Sequence, residues 1–93
     1  MTLKELGQNA IYVIEEIVNE SKSYKREIGL ISSLNELYKF ATFKLLYDDN
    51  NNLFYESNLQ EIIDSNITQE ELFNLCCCGW ELSEDKKCLI KKI

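Results

Sequence analysis

Histidine and proline are both missing from the 93 residues, and glycine occurs three times. Without histidine the chain lacks the side chain that most often serves as general base near neutral pH. The lack of proline argues against extended linkers and polyproline segments. Gly7, Gly29 and Gly79 stand singly, so no glycine-rich loop is present to cradle phosphate. No apolar run reaches the length of a membrane span. The first ten residues, with Lys4 and Glu5, lack the apolar region of a secretory leader, and a cytoplasmic location is expected. Most telling is the missing positive charge: between Asp48 and Asp85 there is no lysine or arginine.

Hydrophobic residues make up 45% of the chain and charged residues 28%, a globular balance for a single domain spanning 1–93. The net charge of −6 is unevenly spread. Residues 1–47 carry six acids and six bases. Residues 48–85 carry ten acids: Asp48, Asp49, Glu56, Glu61, Asp64, Glu70, Glu71, Glu81, Glu84 and Asp85. Four lysines, Lys86, Lys87, Lys91 and Lys92, follow. A stretch that cannot neutralise itself locally should attract basic partners and repel nucleic acid; a solvated surface kept for solubility is the plain alternative.

Helix-start patterns recur at Thr2…Glu5, Ser33…Glu36, Asn58…Glu61 and Thr68…Glu71, and they predict four helices. Apolar steps of three and four from Leu3 to Ile28 mark the first helix, within an N-terminal segment 1–29. Its long stripe invites self-association as a homodimer. The second helix is expected from Leu34 to about Leu46. A rival pattern competes there: Ala41, Phe43, Leu45 and Tyr47 alternate, and Asp48–Asn52 could turn a hairpin into Leu53–Glu56. The capping pattern at Ser33 favours the helix. Leu53–Tyr55 reads as a strand, Leu59–Ser65 and Gln69–Cys78 as helices, and Trp80–Leu82 with Cys88–Ile93 as a β-hairpin. The fold class is therefore α+β, mainly helical.

Cys76, Cys77 and Cys78 are consecutive. Successive helical residues point about 100° apart, so three in a row do not converge on one ion; buried free thiols are expected, and no metal or cofactor. Paired acids such as Glu70/Glu71 face different directions on a helix and read as solvated rather than catalytic. Asp48–Asn52 lacks the glycine and distal glutamate of a calcium loop and reads as a turn. Tyr55, with Tyr47, Phe54 and Trp80, lies within or beside the acidic block. An exposed aromatic there would suit a contact with a basic protein.

From residue 34 the segments LNELYKFATFKLL, LFYE, NLQEIIDSN, TQEELFNLCCC and GWELSEDKKCLIKKI follow the order helix, strand, helix, helix, hairpin. This resembles the winged helix-turn-helix architecture over residues 34–93. The resemblance implies a recognition helix at Gln69–Cys78, but that helix opens Gln69–Glu70–Glu71 and holds no cation. In size and charge the chain also resembles small acidic inhibitors encoded by phages and mobile elements, anti-CRISPR and other anti-defence proteins among them. The expected function is non-enzymatic: an acidic inhibitor presenting its carboxylates, with Tyr55, to a basic nucleic-acid-binding protein. A transcriptional regulator binding DNA through the basic C-terminal hairpin is the alternative.

Overall fold

In the computed structural model, which describes residues 1–93, the first helix start forms as expected. The Thr2 amide and hydroxyl donate to Glu5 Oε1 at 3.1 and 2.9 Å, and Thr2 Oγ1 accepts from the Glu5 amide at 3.4 Å. The N-terminal helix that follows covers 21 residues in three pieces. These are a 3-10 segment Lys4–Asn9, the helix α1 Ala10–Ser21, and a 3-10 turn Lys22–Tyr24. The first piece is itself kinked at Gly7, whose φ of 57° and ψ of −127° suit a residue without a Cβ. The helix ends at Tyr24 rather than at Ile28, and the chain leaves it extended at Lys25. The stripe Leu3, Ala10, Ile14, Ile17 and Val18 is buried within the chain's own core, so it offers no uncovered seam for a second copy.

The second helix, α2, is Leu30–Tyr38, shifted toward the N-terminus from its expected place. Ser33 does not cap it. It lies one turn inside, fully buried, and its hydroxyl faces two carbonyls, Gly29 O at 3.2 Å and Cys78 O at 3.1 Å. Residues 41–47 are not helical, and the hairpin pattern prevails. Strand β1, Lys44–Tyr47, pairs antiparallel with β2, Leu53–Asn58, in the register Lys44↔Glu56 to Tyr47↔Leu53. The reason lies at both ends of the segment. The Glu61 carboxylate accepts from the Thr42 amide at 2.9 Å and pulls the chain out of α2. Asp48 Oδ1 accepts from the amides of Asn50 and Asn52 at 2.8 and 2.9 Å, with Asn51 left-handed at φ 63°, and so builds the turn. Tertiary pairing overrides a local helix preference.

The remainder follows the sequence closely. Helix α3 is Leu59–Asp64, capped by Asn58, whose side chain accepts from the Glu61 amide at 3.0 Å. Asn66, at φ 65°, ends the turn after it. Helix α4 is Gln69–Cys77 with both bonds of its capping box present, at 3.0 and 3.1 Å. The flanking Ile67 and Leu72 are fully buried, as a hydrophobic staple requires. Gly79 at φ 103° turns the chain into β3, Glu81–Leu82, which pairs with β4, Cys88–Lys92. The sheet order is β1-β2-β4-β3, all antiparallel. The expected order of helix, strand, helix, helix and hairpin is present, with β1 inserted between its first helix and its strand. One face of the sheet, with Ser57, Leu89 and Leu82, lies on the helices; alternation sends Phe54, Glu56, Ile90, Lys92 and Glu81 to the other.

Four segments meet at the end of α4. Trp80 is buried and its indole N–H donates to Ser33 O at 3.1 Å. The Arg26 backbone amide donates to Cys77 O at 2.9 Å, and Lys91 Nζ donates to Cys78 O at 3.1 Å. Two cations, Arg26 and Lys91, thus approach the helix end whose carbonyls lack partners within the helix. Replacing Ser33 by alanine removes the buried donor that ties α2 to this turn. The expected loss is about 1–2 kcal/mol, read as a lower urea midpoint with unchanged slope.

Candidate partner-binding surface

The outward face of the sheet gathers half of the acidic block. Glu56, Ile90 and Glu81 form one row across β2, β4 and β3, and Phe54 lies beside Lys92 in the next. Strand alternation therefore sets two carboxylates on either side of an aliphatic residue. The β1–β2 turn adds Asp48 at one end and the β3–β4 turn adds Glu84 and Asp85 at the other. Together they border an open groove of about 930 Å³ with Phe54 and Ile90 among its apolar lining. Five carboxylates and one ammonium, Lys92, line it.

Two of these carboxylates are held by their own turns. The Asn52 amide, and less strongly the Asn50 amide, keep Asp48 below its ordinary value of 3.8. The Ser83 hydroxyl, followed by the Lys87 amide, does the same for Asp85. Glu81 pairs with Lys25 at 3.3 Å, both side chains partly exposed, an arrangement that screens charge without fixing it firmly. Glu84 has no ion pair within the chain, while Glu56 lies beside the Cys88 thiol, which burial first and then the charge and hydrogen bond of Glu56 hold in its protonated form.

The other expected contact residues lie elsewhere. Glu61 and Asp64 are on α3, and Glu70 and Glu71 are in the first turn of α4. Glu61 is engaged by Thr42, Asp64 by Gln60 Nε2 at 3.1 Å, and Glu71 by the Thr68 amide. Asp49 is exposed in the β1–β2 turn. Tyr55 departs most from expectation. It neighbours Glu56 in β2 and so points to the helix side of the sheet, where its ring meets Phe43 edge-on at 5.5 Å. Phe54, not Tyr55, is the aromatic of the groove. Ile90 was not singled out from sequence, Phe54 was one of four candidate aromatics and Lys92 one of four C-terminal lysines; the three share a face only through strand pairing.

The C-terminal lysines do not form one cationic face. Lys86 Nζ lies 2.6 Å from Glu15 Oε1, and this bond raises its pKa. Lys91 holds the α4 end and Lys92 lies in the acidic groove. The cysteines are free thiols, with Cys76, Cys77 and Cys78 buried and Cys88 half-buried. Burial pushes the Cys76 thiol up to about 12 and raises Cys77 and Cys88 as well, which opposes thiolate chemistry.

A depressed carboxylate pKa means that the folded chain binds that proton less readily than the unfolded chain. Stability from Asp48 and Asp85 is therefore complete above the ordinary value of 3.8 and is lost as pH falls through their lowered values. The double variant Asp48→Asn, Asp85→Asn is expected to be less stable at neutral pH. It should also lose less of its urea resistance than the native chain on acidification to about pH 2.5.

No protein-family model matches the chain, and neither does any curated protein or solved structure, so the groove is the feature on which a functional reading rests.

Proposed function

We propose that the chain is a non-enzymatic protein-binding module that presents the carboxylates of its outer sheet face to a basic protein. One observation carries the reading: Asp48, Glu56, Glu81, Glu84 and Asp85 border a single concave surface with an apolar lining. Such a surface suits a lysine- or arginine-rich segment, whose ammonium or guanidinium groups meet the rim while its aliphatic stems lie on Phe54 and Ile90. Segments of that kind bind nucleic-acid phosphates, so occupying one would inhibit a nucleic-acid-binding partner. An inhibitor of the kind carried by phages or mobile elements fits this reading through size and charge.

A winged-helix DNA-binding regulator is less well supported by the geometry. The first turn of α4, where that architecture would meet the groove of DNA, carries Glu70 and Glu71. Lys86, Lys91 and Lys92 each have a separate engagement.

An arginine-rich peptide of about ten residues is the probe, followed by fluorescence anisotropy at low and raised salt. The variant Glu56→Lys, Glu84→Lys should weaken its binding by about tenfold or more. Glu16→Lys, Glu20→Lys makes the same change in net charge on α1 and should leave most of the affinity. Equal losses in the two variants would reduce the reading to a non-specific charge effect. Retention of duplex DNA in a low-salt gel shift would favour the regulator.

A further inference from the structure

Strand β1 is the outermost strand, and β2 is its one neighbour in the sheet. The Asp48 amide donates to Asn52 O at 2.9 Å, which fixes the parity of the strand. Asp48, Leu46 and Lys44 turn their backbone groups toward β2; Leu45 and Tyr47 turn theirs outward from the sheet. These two residues also carry exposed apolar side chains, 48% and 69% accessible. They lie on the helix side, on the same face as Tyr55, which completes an aromatic series with Phe43 and Tyr38. An open edge with apolar side chains is a template for another strand.

We propose that a second copy of this chain occupies that edge, with the two β1 strands antiparallel about a two-fold axis at Leu46. A two-fold axis normal to the sheet keeps equivalent faces on one side. With the outward backbone groups at Leu45 and Tyr47, the axis can pass through residue 45, 46 or 47. Charge selects among them. An axis at 46 sets Lys44 of each copy opposite Asp48 of the other, and Leu45 opposite Tyr47. An axis at 45 sets Lys44 opposite Leu46, and one at 47 sets Asp48 opposite Leu46. The run Lys44-Leu45-Leu46-Tyr47-Asp48 is complementary to itself in the central register alone. The product is a continuous eight-stranded sheet with both acidic grooves on one face. Its strand contact is much smaller than a standard interface, so the dissociation constant should lie between about 10 µM and 1 mM.

Three measurements test this without any basic partner present, so their failure is separable from failure of the groove reading. Sedimentation equilibrium of the native chain should show a monomer–dimer equilibrium; a strict monomer at about 1 mM overturns the proposal. Lys44→Glu should raise the dissociation constant about tenfold or more, with circular dichroism confirming the fold; an unchanged constant overturns the register. In a Cys88→Ser background, Leu46→Cys lies on the axis, where facing Cα atoms about 4.5 Å apart permit a disulfide. It should form an intermolecular bond at least about fivefold faster than Leu45→Cys or Tyr47→Cys. Equal or faster bonding at 45 or 47 overturns it.

Discussion

The buried hydroxyl of Ser33 and the indole of Trp80 hold the molecule together at the place where its layers would otherwise separate. Ser33 Oγ reaches Cys78 O from α2, and Trp80 Nε1 returns to Ser33 O from the start of the hairpin. Burial strengthens both bonds, because no water can replace either partner. Through this junction α2, α4 and the β3–β4 hairpin take fixed positions, and Arg26 and Lys91 add cations where the α4 carbonyls end. The turn at Gly79 and the first row of the acidic groove follow directly from it. Glu81 comes next in the chain after Trp80, so its place beside Ile90 is set by how the indole is seated.

Legibility in the sequence varied with how local the determining contact was. Thr68 and Asn58 could be read because their partners lie within a few residues. Ser33 could not. A serine three residues before a glutamate looks the same whether its hydroxyl caps a helix or reaches a carbonyl 45 residues away. The segment 41–47 carried two periodicities at once, and the choice was made by Glu61, 19 residues downstream of Thr42.

The candidate surface was readable in charge and not in shape. Composition placed ten acids in one block, yet the fold divides them between the sheet face, α3, α4 and a turn. Several acids serve the backbone before they can serve a partner: Glu61 accepts the Thr42 amide ahead of β1, Glu71 accepts the Thr68 amide at the start of α4, and Asp48 and Asp85 shape turns. Side-chain direction in β2 decided the aromatic as well. Tyr55 and Phe54 are adjacent in sequence and opposite in fate, because the pleat sends one to the core side and the other to solvent. Charge runs report a field; strand parity decides where that field is focused.

Lys86 occupies the left-handed region at φ 61°, where glycine would be relaxed, and its ammonium spans from the hairpin tip to Glu15 on α1. Backbone strain and a tether thus act in opposition at one residue. Glycine at this position would relieve the first and release the second, so a thermal melt could register little change while the tip gained freedom. Amide exchange along Ser83–Lys87 would be the more sensitive reporter, since a hairpin can loosen locally without any shift in global unfolding.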